Sequence, residues 1–167
     1  MVSQFHRSSG TMVEKRSKWR HRLFHTYFLL RRPMTLGARG VVFDEVKQAV
    51  FLIRHTYVPG WQFPGGGVET GHTVEQTLRK ELMEEGSIEL TGRPELFAIY
   101  HNAHASKRDH VALYICRSFR QTTPFIANCE IAEAGFFKLD ALPEDTTPAT
   151  RQRLAEILEG AEVPLFW

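Results

Sequence analysis

Three glutamates spaced three and four residues apart are the feature of this sequence best suited to chemistry. Glu81, Glu84 and Glu85 lie in a segment whose apolar residues recur every four positions, which predicts a helix. At ~100° per residue, the three carboxylates fall within an arc of about 100° that overlaps the edge of the apolar stripe. Such a cluster favours a cation such as Mg²⁺ or Mn²⁺, which prefers carboxylate oxygen and commonly bridges to phosphate groups. Taken alone, it is also compatible with an ordinary acidic helix surface.

The elements around this cluster are predicted from glycine content and from periodicity. A glycine-rich passage, residues 59–71, is predicted to be a loop. Thr73 and Gln76 form a capping-box pair that starts the helix, and we expect the helix to end near Gly86. The loop therefore leads directly into the helix that carries the glutamates.

Apolar, partly β-branched runs separated by polar turns predict the strands. These runs cover residues 38–43, 49–54, 96–100, 111–116 and 134–137. The first two are expected to pair as a hairpin. A last amphipathic helix is predicted to begin at Thr147 and Pro148, to run through Leu158 and to end at Gly160. The predicted fold class is therefore α+β.

Length and composition exclude several classes of protein. The 167 residues are 43% hydrophobic and 24% charged, with a formal net charge of +2. These values are typical of one globular domain and exclude disordered, collagen-like and disulfide-scaffold proteins. Cys116 and Cys129 form neither a close pair nor part of a histidine cluster, so a zinc site has no support. No run approaches the ~20 apolar residues of a transmembrane helix, and we expect a cytoplasmic protein, with peripheral membrane attachment left open.

The net charge is an average over two unlike parts of the chain. Residues 1–39 hold nine basic side chains and one acidic one, whereas the remaining residues carry 12 basic and 18 acidic groups. Apolar residues recur at three and four positions within residues 14–30, which predicts a basic amphipathic helix that Pro33 ends. We therefore expect residues 1–33 to form a basic arm that precedes the domain.

The partner of this arm is open at the level of sequence. The interpretation we favour is that its apolar stripe packs on the protein's own body or on a second copy, which would form a homodimer. The alternatives are contact with RNA, contact with an anionic membrane surface, and an organellar presequence.

Residues 66–88 resemble the Nudix box. In that motif a Gly, five residues, a Glu and seven residues precede Arg, Glu, an aliphatic residue, any residue, Glu, Glu, any residue, Gly and an aliphatic residue. The matching positions are Gly66, Glu81, Leu82, Glu84, Glu85 and Ile88. Residues 61–69 and 136–143 are also similar to segments of this family. The resemblance covers about residues 34–158, and on it the chain is identified as a Nudix hydrolase.

The resemblance implies a fold, a reaction and a set of site residues. A mixed sheet and its helices would form an α/β/α sandwich over residues 34–160, followed by a tail, residues 161–167. The enzyme would cleave the diphosphate of a nucleoside diphosphate linked to another group. The metal, Mg²⁺ or Mn²⁺, would be bound by Glu81, Glu84, Glu85 and the main-chain carbonyl of Gly65. Glu81, or a carboxylate outside the box, would orient the attacking water. The candidates outside the box are Glu130 and Glu133.

Three positions depart from the family pattern. Lys80 replaces the Arg that orients a catalytic Glu, and it keeps the charge of that catalytic position but not the planar fork. His72 replaces a carboxylate by an imidazole. Ser87 stands at the helix exit where Gly is preferred, and we expect Gly86 to take over the turn. We favour a working hydrolase over a catalytically impaired domain that binds a nucleotide as a sensor.

Candidate substrate-binding residues lie around the loop. Arg54, at the end of the second predicted strand, is a candidate for a phosphate contact, and Tyr57 for stacking on a base. Gly66 and Gly67 are also assigned to substrate binding. Trp61 is compatible either with base stacking or with packing under the loop. A nucleotide-type small molecule is therefore the expected substrate, and nucleotide sugars, dinucleoside polyphosphates, oxidised nucleotides and capped RNA all stay open.

Overall fold

The computed structural model describes residues 23–31 and 33–167, and the chain divides into two units, residues 1–34 and 35–167. In the first unit, residues 23–31 form helix α1. The helix predicted over residues 14–30 overlaps α1 from residue 23, and its earlier part lies outside the described residues. Large apolar side chains of α1 are exposed, namely Leu23, Phe24, Tyr27, Leu29 and Leu30.

The second unit contains the strands. Among the described residues they are β1 (Thr35–Asp44), β2 (Ala49–His55), β3 (Trp61–Gln62), β4 (Ile88–Leu90), β5 (Glu95–His101), β6 (Asp109–Cys116), β7 (Phe119–Gln121) and β8 (Ile131–Lys138). Every predicted strand is present. The prediction missed β3, β4 and β7 because elements of two or three residues are too short to show a periodicity.

Strands β1, β2, β3, β5, β6 and β8 form a mixed sheet. The path is β3-β2-β1-β6-β5, and β8 pairs with β2. Strands β1 and β2 form the predicted antiparallel hairpin, whereas β1 and β6 run parallel over residues 35–42 and 109–116. Strands β4 and β7 make a separate antiparallel pair. The sheet is therefore mixed, as the family resemblance implied.

Two helices are held by apolar clusters that use alternate residues of the same strands. Helix α2 (Val74–Gly86) begins at Thr73 with the predicted capping box, and helix α3 (Pro148–Leu158) begins at Thr147. Leu78 and Leu82 of α2 belong to one cluster, and Leu154 of α3 belongs to the other. The strand members of the first cluster include Val42, Phe51 and Ile53, and those of the second include Val41, Val50 and Leu52. Because side chains alternate across a strand, the two helices cover opposite faces of the sheet.

Helix α2 ends differently from the prediction. Gly86 is its last residue, and Ser87 adopts the left-handed conformation, with φ of 53°. A Cβ at residue 86 would lie 2.7 Å from the Phe51 ring, so the glycine is required for close packing. The Ser87 N–H donates to the carbonyls of Leu82 and Met83 and closes the helix. The expectation that Gly86 takes over the turn is therefore wrong.

The last residues of the chain lie along the outer strand β5. The N–H of His101 donates to the carbonyl of Leu165, and the carbonyl of His101 accepts from the N–H of Trp167. The Trp167 ring packs edge-on against Tyr100, with the ring centroids 5.5 Å apart. Within residues 23–31 and 33–167, none of the helices has the length and apolar character needed to span a bilayer.

Candidate active site

The glycine-rich loop lies along strand β1. The N–H of Gly40 donates to the carbonyl of Pro64, and the N–H of Ala38 donates to the carbonyl of Gly66, both at 2.9 Å. Gly65 between them has φ of 140°, and a Cβ there would collide with the carbonyl oxygen of Ala38. Only glycine therefore allows the loop to approach the strand this closely.

Helix α2 brings two of the three glutamates to this loop. Glu85 is only 6% exposed, and its Oε2 accepts a 2.6 Å hydrogen bond from the N–H of Gly65. The carboxylate of Glu81 packs against Gly66, where a Cβ would lie 2.6 Å from Oε1. The structure thus places Glu81, Glu85, Gly65 and Gly66 together, and this group is called the glutamate site below.

The third glutamate points away from the loop. The Glu84 side chain is 59% exposed, and its carboxylate lies 4.0 Å from Nζ of Lys80. In the described part of the chain, no three His, Cys, Asp or Glu side chains are placed to hold a metal ion together. The chemistry of the donors nevertheless suits a hard divalent ion, because Glu81, Glu84 and Glu85 offer only carboxylate oxygens and share one helix.

The electrostatics of the glutamate site favour a bound cation. Burial raises the pKa of Glu85 to about 7, against the opposing hydrogen bond from Gly65 and the charge of Arg39. Burial, and then the charge of Glu84, raise the pKa of Glu81. A raised pKa shows that the ionised carboxylates are poorly compensated by the protein. The residues present therefore fit a divalent cation.

Arg39, in the middle of β1, belongs to the site and was not predicted. Its Nη1 donates to the carbonyl of Gly65 at 2.6 Å and to the carbonyl of Phe63 at 3.1 Å. Its charge acts on Glu81 and Glu85 by lowering their pKa. A charged residue inside an otherwise apolar strand is the signal that identifies it, because such residues are seldom placed in a core without a partner.

His55, at the end of β2, is a second unpredicted polar residue, and the charge of Arg39 acts on it. Its ring centroid lies 5.1 Å from that of Tyr57. Its buried Nδ1 makes no hydrogen bond within residues 23–31 and 33–167. Burial, and then the charge of Arg39, lower the pKa of His55, whereas Glu130 raises it. The surroundings of His55 therefore disfavour its protonated form, and the charges that act on it are those of Arg39 and Glu130.

Two of the departures from the Nudix pattern, Lys80 and His72, lie beside the same carboxylate, that of Glu69. Nζ of Lys80 donates to Oε1 of Glu69 at 3.0 Å, and Nδ1 of His72 lies 4.0 Å from Oε2 of the same glutamate. The hydrogen bond from Lys80 lowers the pKa of Glu69. Glu69 therefore provides Lys80 with a carboxylate partner in a sequence that has no Glu at position 72.

The two glycines assigned to substrate binding have different surroundings. Gly66 is covered by the carboxylate of Glu81. Gly67 forms an isolated bridge with Gly37, and a Cβ there would meet no atom of the described chain within 4 Å. Of the two, Gly67 is the one whose backbone faces open space.

A cavity of about 450 Å³ lies at the end of β2 and includes Arg54, His55 and Tyr57 in its lining. Arg54 is already engaged, since its Nη2 pairs with Glu133 and its guanidinium lies 5.7 Å from the Trp61 ring. Trp61 is 7% exposed, so it packs under the loop rather than facing a ligand. The structure therefore brings Arg54 and Tyr57 to one cavity.

The two carboxylates considered outside the box differ in their relation to the glutamate site. The charge of Glu130 contributes to the raised pKa of Glu85. Glu133 instead pairs with Arg54. Glu130 is therefore the one of the two that acts on the site electrostatically.

Comparison with known proteins places these features in a family. A family model described as the NUDIX domain matches residues 33–158. The crystal structure of a MutT NUDIX hydrolase from Burkholderia pseudomallei matches with a TM-score of 0.62 and 26% identity, over 73% of this chain and 96% of that one. The structure of an ADP-ribose pyrophosphatase from Streptococcus suis 89-1591 matches with a TM-score of 0.58 and 26% identity, over 80% of this chain and 96% of that one.

The curated relatives match over a shorter region. The RNA pyrophosphohydrolase of Caulobacter vibrioides is 46% identical over 67 residues, which is 36% of this chain and 39% of that protein. The RNA pyrophosphohydrolase of Pseudoalteromonas translucida is 43% identical over 56 residues, which is 34% of this chain and 30% of that protein. The matches thus span less than half of the length of these relatives.

Proposed function

Because the chain belongs to the NUDIX domain family, we propose that it is a hydrolase that cleaves a diphosphate linkage in a nucleoside diphosphate derivative with the help of a divalent metal ion. The observation that carries this proposal is the position of Glu81 and Glu85 against Gly65 and Gly66, with the pKa of both carboxyls raised. Poorly compensated carboxylates beside a backbone carbonyl suit a hard cation, and a diphosphate substrate requires such charge neutralisation.

Nudix hydrolases generally use divalent metals such as Mg²⁺. In this chain we assign the binding of Mg²⁺ or Mn²⁺ to Glu81, Glu84, Glu85 and the carbonyl of Gly65. When bound, the metal would supply an activated water and neutralise charge on the phosphate oxygens. Glu84 would join the other two by turning its exposed side chain away from Lys80.

Glu81 is the carboxylate that we propose accepts a proton from the attacking water. Its raised pKa makes it a better proton acceptor near neutral pH than an exposed glutamate. Glu130 is the alternative, because its charge acts on the site from outside the helix. Lys80 would be a positioning residue, since its hydrogen bond to Glu69 holds helix α2 against the glycine-rich loop.

The cavity at the end of β2 is the proposed position of the rest of the substrate. Arg54 would leave its ion pair with Glu133 and contact a phosphate of the substrate instead. Tyr57, whose side chain is largely exposed, would stack on a base. Gly67 offers an open backbone on the approach to the glutamate site.

The decisive experiment measures the phosphorylated products, such as a nucleoside monophosphate, released from a panel of nucleoside diphosphate derivatives with Mg²⁺ or Mn²⁺, because cleavage of the diphosphate linkage liberates no inorganic phosphate. We expect turnover of at least one compound, and a loss of about 100-fold or more in Glu85→Gln, because removing even a supporting partner of a metal ligand costs roughly 10–100-fold. Glu89→Gln is the control, since Glu89 is a glutamate that pairs with Arg120 away from the site. Equal rates in the two variants would contradict the assignment of Glu85.

A nucleotide sensor is the competing function, motivated by His72 and Lys80. It would bind members of the same panel, measured by calorimetry, without cleaving their diphosphate linkage. Metal-dependent turnover that is absent from Glu85→Gln eliminates it. Binding without turnover, in both the wild type and Glu85→Gln, would replace the hydrolase proposal by the sensor.

RNA pyrophosphohydrolase activity is a second candidate, favoured by the name of the Caulobacter relative and by the basic arm, residues 1–33. The exposed apolar side chains of α1 equally suit an anionic membrane surface or a second copy of the chain. Deleting residues 1–33 should weaken binding of 5′-triphosphate RNA or of anionic vesicles at low salt, or convert a dimer to a monomer. If all three properties are unchanged, the arm has none of these roles.

A cytoplasmic location is proposed, in agreement with both cysteines being free.

A further inference from the structure

The carbonyl of Gly65 is engaged by a side chain of the protein itself. It accepts a 2.6 Å hydrogen bond from Nη1 of Arg39, which also donates to the carbonyl of Phe63. The N–H of Gly65 meanwhile donates to Glu85 at 2.6 Å. Arg39 and Glu85 therefore hold the same glycine from its two polar groups.

Arg39 reaches Glu85 through this glycine rather than by a direct ion pair in the described part of the chain. The guanidinium is thus a fixed positive charge beside the carboxylates, held by two loop carbonyls. It supplies part of the compensation that a divalent ion would supply in full.

The guanidinium of Arg39 and a divalent ion would compete for the carbonyl oxygen of Gly65. A carbonyl oxygen has two lone pairs and can accept two partners, but two cations on one oxygen repel each other strongly where water is scarce. Each cation therefore weakens the hold of the other on Gly65. The stability that Arg39 and a bound divalent ion provide together must therefore be smaller than the sum of what each provides alone.

We propose that Arg39 is a positioning residue that acts as the resident counter-cation of the metal-free glutamate site, holding Gly65 and balancing Glu85 until a divalent ion takes over this role. This inference rests on the proposed function, since it requires that the site binds a metal. It differs from a purely structural role for Arg39, which would stabilise the protein equally with and without metal.

The test is a thermodynamic cycle that combines Arg39→Gln with Mn²⁺. In metal-free buffer we expect the variant to unfold roughly 5 °C or more below the wild type, because it loses two charge-assisted hydrogen bonds. At saturating Mn²⁺ this difference should shrink. By linkage, calorimetry should then show Mn²⁺ binding to the variant more tightly, by several-fold to about tenfold.

Arg79→Gln is the matched control. Arg79 also donates to two backbone carbonyls, those of Leu90 and Gly92, and it pairs with Glu75. It differs from Arg39 in that the carbonyls it binds are not those of Phe63 and Gly65. Its loss should lower the unfolding temperature by the same amount with and without Mn²⁺, and should leave the affinity for Mn²⁺ unchanged.

The outcomes separate this inference from the proposed function. A loss in Arg39→Gln that is equal with and without Mn²⁺, or larger with Mn²⁺, overturns the counter-cation role while leaving the hydrolase proposal intact. A wild type that binds no Mn²⁺ overturns both. If Arg39→Gln fails to fold without metal, Arg39→Lys replaces it, because lysine keeps the charge but loses the fork, and its smaller deficit should also shrink when Mn²⁺ is added.

Discussion

Two arginine–glutamate arrangements in the same domain differ in how their charges are matched. In the first, Arg153 and Glu156 are both buried and their closest atoms, Nη2 and Oε1, are 2.6 Å apart. Tyr100 donates its hydroxyl to the other oxygen of Glu156 at 2.7 Å. The Arg153 guanidinium also lies over the rings of Tyr100 and Trp167, at 4.2 and 5.5 Å. These four residues, the Arg153 cluster, tie helix α3 to strand β5 and to the end of the chain.

The glutamate site has the opposite character. Two carboxylates, Glu81 and Glu85, lie near one guanidinium, and Arg39 uses its Nη1 hydrogen bonds on carbonyl groups instead. The Arg153 cluster contains one charge of each sign, whereas here negative charge exceeds positive charge. A balanced buried pair is suited to holding a fold together, and an unbalanced one is suited to taking up a cation. Charge balance therefore distinguishes the Arg153 cluster, which stabilises the fold, from the glutamate site, which we propose binds a metal ion.

Breaking the Arg153 cluster should have the largest effect on stability. Arg153→Met leaves Glu156 buried without its ion-pair partner, so we expect the free energy of unfolding to fall by about 3–5 kcal/mol. Urea denaturation monitored by fluorescence measures it, and the turnover of the protein that stays folded should be unchanged. Arg151→Met, on the same helix but largely exposed, is the control. A loss no greater than in that control would show that the cluster is not a structural unit.

The pH dependence of stability should show the imbalance of the glutamate site directly. The pKa of Glu85 is raised from 4.5 to about 7 on folding, so between these values the folded state holds a proton that the unfolded state has lost. The metal-free protein should therefore lose stability as the pH rises from about 5 to 8, by up to roughly 3 kcal/mol from this group.

The lowered pKa of His55 makes stability rise as the pH approaches 6.5, which opposes the loss expected from Glu85. Because His55 is present in both the wild type and Glu85→Gln, the difference between these two proteins isolates the contribution of Glu85. The variant should be more stable than the wild type at pH 8 without metal, and nearly equal to it at pH 5. Urea titrations at both pH values measure the difference. Parallel pH profiles for the two proteins would mean that Glu85 is well compensated in the folded protein.

The smallest effect is expected from restoring the family residues, His72→Glu with Lys80→Arg. Because Glu69 already pairs with Lys80, we expect turnover to rise by no more than a few fold, measured as kcat on the best substrate of the panel. Lys80→Arg alone is the reference that separates the guanidinium from the added carboxylate. An equal or lower rate in the double variant would show that the Glu69 pair replaces the family arrangement fully.

Features encoded by neighbouring residues were predictable. The capping box at Thr73 and Gln76 starts helix α2 as expected, because its hydrogen bonds need no other part of the chain. The main strands follow their apolar runs, and the family motif identified the family that the match over residues 33–158 confirms. The helix exit was predicted wrongly, because the collision between a side chain at residue 86 and Phe51 is a contact across the core.

The sequence by itself determined that three glutamates share one helix and that a glycine loop precedes them, since both depend on local spacing. Only the tertiary structure decided which glutamates face the loop. Glu84 and Glu85 are adjacent in sequence, yet one is exposed and the other accepts the N–H of Gly65. It likewise placed Arg39 beside them, because that contact requires β1, the loop and α2 to pack together. The charge balance of the site is therefore a property of packing, and periodicity alone does not contain it.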